Sequence, residues 1–243
     1  MKLVRPDVTR KLEACRERLL QSLDVAHAAY YQAGPFGGPS LYFHLRALEA
    51  GKDANLARFA ESTYALLAAW GMHRMGRRGS KMREFEDFEA SLKPLWSTVL
   101  SLQQATPESL SEAGWREVSE VFRGIRCMAT GTSLVGNSKV MAHALPNLVA
   151  PVDREYTLRF LFGSTNITNS LEQEWEKLQT ILRDFFYPIL RAKSFKLKAR
   201  EWQQQRAVFR WDTSPLKIAD NLVIGLRKSG RVDETTSDSG RLR

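Results

Sequence analysis

Residues 132–156 read Thr132-Ser-Leu-Val-Gly-Asn-Ser-Lys-Val-Met-Ala-His-Ala-Leu-Pro-Asn-Leu-Val-Ala-Pro-Val-Asp-Arg-Glu-Tyr156, and this stretch carries most of the chain's chemical meaning. Its first half pairs a glycine with small polar residues between two apolar-periodic segments. The pattern predicts a reversal at Gly136 between a helix ending near Ala129 and one starting near Ser138. Asn137 or Ser138 is then the cap, and the first-turn N–H groups of the second helix form a site suited to a phosphate oxygen. Lys139 adds a cation beside it. The second half runs through apolar Leu148-Val-Ala-Pro-Val152 into Asp153. There an aspartate can cap the helix beginning at Arg154 and still present a carboxylate.

Outward from this stretch the chain is helical in its periodicity. Helices are expected over about 8–31, 41–49, 53–73, 84–104 with a kink at Pro94, 109–129, 154–162, 169–186, 188–209 and 215–228. Ser40 is the expected cap of the second, and Ser214-Pro215 supplies a cap and a first-position proline for the last. Gly34 to Pro39 interrupts the first two, and Gly71 to Ser80 follows the third as a basic, glycine-broken segment. Gly230 to Arg243, rich in Ser, Thr, Asp and Arg, reads as a loose tail behind a single compact helical unit over 1–229. Neither the P-loop nor the dinucleotide glycine fingerprint is present.

Composition narrows the partners. The 243 residues carry a formal charge of +9, with 43% hydrophobic and 26% charged residues, which describes a globular protein suited to a polyanion. One basic cluster is Arg74, Arg77, Arg78, Lys81 and Arg83. A second is Arg191, Lys193, Lys196, Lys198, Arg200, Arg206 and Arg210, opposed within that span only by Glu201. No apolar run is long enough to span a bilayer and no signal-peptide pattern opens the chain, so a cytoplasmic protein without a membrane partner is expected. Cys15 and Cys127 stand far apart inside helical patterns and read as incidental thiols. The four histidines show no metal-ligand spacing, and neither metal nor cofactor is expected.

Taken with these features, Leu134-Val135-Gly136-Asn137-Ser138 resembles the hairpin of the helix-hairpin-helix DNA glycosylases, and Pro151-Val152-Asp153 resembles their catalytic element. The specific match covers residues 132–156, with an all-helical layout around it. The resemblance implies an all-α fold of two helical lobes with an intervening cleft, the hairpin lobe lying around 84–165. It implies that Leu134, Gly136, Asn137, Ser138, Lys139 and Arg154 hold the DNA backbone. It also implies that Asp153 stabilises charge on the sugar or activates water. Two departures matter. The first glycine of the fuller hairpin pattern is missing, and Ser138 stands where bifunctional members place a lysine nucleophile. Lys139 comes one residue later, and on a helix that offset rotates the side chain by about 100°. A monofunctional, water-using glycosylase is therefore expected, acting as a monomer on duplex DNA with a flipped nucleotide. A bulky modified pyrimidine of phage DNA is one candidate base.

Base-pocket candidates come from two places. Tyr42 and His44 lie in an aromatic segment beside the glycine-proline break, and Trp70 and His73, with Arg74, fall at helical spacing. Two other readings share the charge pattern. One is a non-catalytic helix-hairpin-helix DNA-binding module. The other is a helical protein-interaction or regulatory subunit.

Overall fold

The computed structural model describes residues 6–34, 37–74 and 81–238, with side chains for 7–34, 37–73 and 81–229. Among the described residues every regular element is helical, as the periodicity predicts, and the one β-bridge joins Met82 to Met128. In chain order the helices are α1 (Pro6–Gln21), α2 (Leu23–Gln32), α3 (Pro39–Lys52), α4 (Leu56–Ala69), α5 (Phe85–Leu92), α6 (Trp96–Leu102) and α7 (Glu112–Gly124). They continue with α8 (Leu134–Ala144), α9 (Arg159–Phe162), α10 (Leu171–Thr180), α11 (Tyr187–Arg191), α12 (Lys193–Gln204) and α13 (Pro215–Asp238). Two π-helical turns, Arg154–Leu158 and Ile181–Phe186, lead into α9 and α11. No described helix is long and apolar enough to cross a membrane.

The chain divides into two compact units. The first comprises Met1–Pro35, Asp153–Asn166 and Arg183–Arg243; the second comprises Phe36–Val152 and Ile167–Leu182. In the first unit α2 crosses α13, and Tyr30, Phe185, Phe186, Phe195, Leu222 and Val223 are buried in its core. That crossing is close because Gly225 has no side chain. A Cβ there would fall 1.9 Å from the Ala26 carbonyl oxygen. The single helix expected over 8–31 is two helices, because Ser22 leaves helical geometry at φ −122°, ψ 24°. Its apolar spacing runs on through the break, since Leu12 and Leu19 before it and Leu23, Ala26 and Tyr30 after it are all buried. At the far end α13 starts with Ser214 accepting from the Lys217 amide, the expected cap. It then continues to Asp238, so the helix runs into the segment expected to be a loose tail from Gly230.

The second unit is built on α3 against α4, with α5 to α8 and α10. Phe59, Leu66, Leu67, Phe88, Phe122, Leu134 and Met141 fill its core. The lobe expected around 84–165 is thus larger at one end and shorter at the other. α3 and α4 belong with the hairpin because Gly51 lets α3 approach α8, where a Cβ would lie 3.3 Å from the His143 carbonyl. α10 joins through Trp175, whose ring lies 5.6 Å from Phe122 and 6.1 Å from Trp115. Pro94 interrupts the 84–104 segment as expected, in a 3₁₀ turn at Lys93–Leu95. Ser40 is not the cap of α3; Gly38 holds that position at φ 57° and Ser40 is buried inside the helix.

Candidate functional site

The hairpin differs from expectation in which glycine turns. Gly131 takes φ 78°, whereas Gly136 lies within the first turn of α8, which starts at Leu134 rather than Ser138. The loop before α8 is held by a short extended pairing in which Arg83 donates to the Cys127 carbonyl (2.9 Å) and Ala129 to that of Lys81 (2.7 Å). Gly136 matters for closeness instead of turning. A Cβ there would meet Met128 Cγ at 3.1 Å and Cys127 Sγ at 3.3 Å. Burial at this position also pushes the Cys127 thiol up to about 12, with Lys139 opposing weakly.

Of the residues expected to hold a DNA strand at the hairpin, Leu134, Gly136, Asn137 and Ser138 are turned inward and Lys139 is half-buried. Leu134, Asn137 and Ser138 are fully buried. Asn137 Nδ2 donates to the carbonyls of Phe122 (2.8 Å) and Ile125 (3.0 Å), tying off the C-terminal end of α7. Ser138 Oγ donates to the Val135 carbonyl and accepts from the Val152 amide at 3.0 Å. The phosphate expectation is corrected by one contact in particular. The Leu134 amide donates to Glu174 Oε2 at 2.6 Å, and Glu174 is only 2% exposed. A helix N-terminus does attract an anion, but here α10 supplies it from within the protein. The spacing of α8 alone carries no trace of Glu174.

Ser138 has a consequence one step along the chain. By holding the Val152 amide it fixes the end of the buried segment Leu148–Val152, and Asp153 follows immediately. Asp153 is half-buried. Its Oδ1 accepts from the amides of Glu155 (2.8 Å) and Tyr156 (3.2 Å), while its own amide donates to Thr157 Oγ1 at 3.2 Å. The capping role anticipated for it is real. The turn it caps is unusually wide, with the Leu158 amide reaching the Asp153 carbonyl at 2.9 Å, five residues back. Such π turns inside helices recur at functional sites. Arg154 Nη1 donates to the Thr165 carbonyl at 3.1 Å, and Glu155 pairs with Arg159 at 3.2 Å.

The pocket candidates are regrouped. Tyr42 and His44 do not act as a pair, because both lie inside α3, where residues two apart face about 200° away from each other. Tyr42 is 58% exposed and His44 is 2% exposed. Trp70, His73 and Arg74 do not share a helical face either. α4 ends at Ala69, and Gly71 at φ 78° turns the chain into a separate 3₁₀ segment. His73 is exposed, and the side chains of Arg74, Arg77 and Arg78 lie outside the described residues.

Trp70 and His44 instead meet two residues of α8. His44 Nδ1 lies 2.8 Å from His143 Nε2, and Lys139 Nζ sits 5.0 Å from the centre of the Trp70 ring. His143 Nδ1 is 2.7 Å from the Lys139 carbonyl, which can only accept. In a neutral pair His143 therefore carries its proton on Nδ1, and its Nε2 accepts from His44 Nδ1. That tautomer leaves the lone pair of His44 on Nε2. The Trp70 ring is 5.8 Å from His143, and its buried indole N–H has no hydrogen-bond partner. The cluster unites two expected residues with Lys139 and one histidine that sequence spacing did not single out.

A second buried set, in the first unit, had no sequence signal. His27 Nε2 meets Asp212 Oδ2 at 2.8 Å, and Asn221 Nδ2 donates to Asp212 Oδ1 at 2.8 Å. Lys217 donates to Asp220 at 2.7 Å and also to Asn221 Oδ1. The His27 ring stacks on Trp202 at 3.9 Å, with Phe209 edge-on at 4.6 Å. Lys217 and Asp220 form an ion pair, and Asn221 links it to Asp212, which suits a network that specifies packing. Among the described residues no group of three His, Cys, Asp or Glu side chains is placed to hold a metal.

No family model, no curated protein and no solved structure matches the chain, so the site rests on its own geometry.

Proposed function

We propose that this protein is a monofunctional DNA glycosylase in which Asp153 assists hydrolysis of the N-glycosidic bond of a flipped, modified base. One observation carries the reading. Asp153 is a half-buried carboxylate at the end of a buried apolar segment, oriented by two backbone amides and by the bond from its own amide to Thr157. Breaking an N-glycosidic bond builds positive charge on the sugar. A carboxylate already held in place favours that charged transition state over the neutral ground state and needs no reorganisation at that moment. Water completes the reaction, with Asp153 accepting its proton. Extruding the base costs a few kcal/mol, and this cost is lower for modified or mispaired bases.

The capping bonds of Asp153 favour a second reading, a non-catalytic DNA-binding module in which the carboxylate only starts a helix. A panel of duplexes carrying alkylated, oxidised, deaminated and bulky modified pyrimidine bases separates the two. Base release is read as strand cleavage after alkali. The glycosylase reading expects product on at least one duplex. Asp153→Asn should lose about a hundredfold to a thousandfold in rate while still binding DNA. Full activity in that variant removes Asp153 from the chemistry, and robust borohydride trapping of the wild type replaces water by a protein amine.

A further inference from the structure

We infer that the outer face of α12 is a surface that binds the sugar-phosphate backbone of duplex DNA. This rests on the nucleic-acid part of the reading above and relocates backbone contact away from the start of α8, where Glu174 occupies the amide of Leu134. α12 is anchored by Phe195, Ala199 and Trp202, all buried along one side. At 100° per residue, Lys193, Lys196 and Arg200 span only about 60° of the opposite side, with Leu197 and Gln204 beside them. All five are exposed, and Leu197 is 58% exposed.

The charges on this stripe are uncompensated. Lys193, Lys196 and Arg200 make no ion pair among the described residues. The acids near α12 are engaged at its flank, where Lys198 binds Asp24 at 2.9 Å and Glu201 at 3.4 Å. The stripe thus places three cations along about 10 Å of helix with no carboxylate among them. Duplex DNA carries one negative charge per about 1.7 Å of axis, and neutralising phosphates releases condensed counterions. Leu197 stands beside the cations, where the apolar face of a deoxyribose can cover it. An anionic membrane would also attract the cations. One exposed leucine on this stripe is too little apolar area to bury in a bilayer, which favours DNA.

The test measures affinity for an unmodified duplex as a function of salt. It compares the wild-type protein, the triple variant Lys193→Gln/Lys196→Gln/Arg200→Gln, and Lys198→Gln as a flank control. Each lost phosphate contact lowers the slope of log K against log salt by about 0.9, so the triple variant should lose about 2.7. Between 50 and 200 mM salt its affinity should then weaken about forty-fold less than that of the wild type. Lys198→Gln should keep most of the slope, and an unchanged melting temperature in the triple variant confirms that it folds. A wild-type slope in the triple variant overturns the inference, and so does binding to phosphatidylserine vesicles without binding to DNA. Failure of the glycosylase reading looks different, because base release would be absent while the slope still falls.

Discussion

Glu174 is the sharpest test of how this protein uses its hairpin. Its carboxylate is nearly inaccessible and accepts from the Leu134 amide at 2.6 Å, at the start of α8. A hydrogen bond to a charged group contributes about 1.5–3 kcal/mol, and a partly buried charge at a helix terminus adds up to about 2 kcal/mol. Burying the carboxylate offsets part of this. Glu174→Ala removes the acceptor, strands a buried N–H and opens space, for an expected loss of about 3–5 kcal/mol. Glu174→Gln keeps the shape and an acceptor and should lose about 1–2 kcal/mol. In a chain of this size each kcal/mol moves the melting temperature by roughly 2–4 °C, so alanine should lower it by about 6–20 °C and glutamine by about 2–8 °C. Far-UV circular dichroism melts, checked by urea titration, measure both. A Glu174→Ala protein within about 1 kcal/mol of wild type would refute the assignment. A Glu174→Gln protein more stable than wild type would show that the cost of burying the charge exceeds its bond.

Two further perturbations follow from close approaches and burial. Gly225→Ala places a Cβ 1.9 Å from the Ala26 carbonyl oxygen and 3.0 Å from the Tyr30 amide, so α2 and α13 must separate, at about 3–5 kcal/mol. Gly114→Ala meets the flexible end of the Leu110 side chain and, in ordinary contact, the Ser111 hydroxyl, and should change stability little, so equal urea midpoints for the two variants would contradict the close crossing. Cys127, with its thiol pushed up to about 12 by burial, should resist thiol reagents at neutral pH until the protein unfolds. Because the folded thiol holds its proton more tightly, its contribution to stability is full below about pH 8.5 and is lost as pH rises toward the folded value. Cys127→Ala should therefore flatten the alkaline loss of stability between those limits, and a denaturation series across pH measures it.

How far the site could be read in advance depends on how local each feature is. Pro94 and Ser214-Pro215 act within a turn of their own positions, and both behave as written. The capping of Asp153 is equally local, resting on amides two and three residues away. The turning glycine is a subtler case. Gly131 and Gly136 are both plausible in a string of letters, and only the extended pairing of residues 81–83 with 127–130 shows where the chain must reverse. In the sequence Tyr42 and His44 pair because they stand two apart beside a break. The helix starting at Pro39 includes both and turns them apart.

By itself the sequence determined a helical chain, a basic surface and an aspartate with a reason to be oriented. All three follow from composition or from spacing within one or two turns. Tertiary structure decided what each polar group touches. The anion at the start of α8 comes from 40 residues away, the partner of His44 from 99, and the partner of His27 from 185. Periodicity records which face of a helix is buried. It carries no record of which distant residue is buried against that face, because that is set by how whole helices pack.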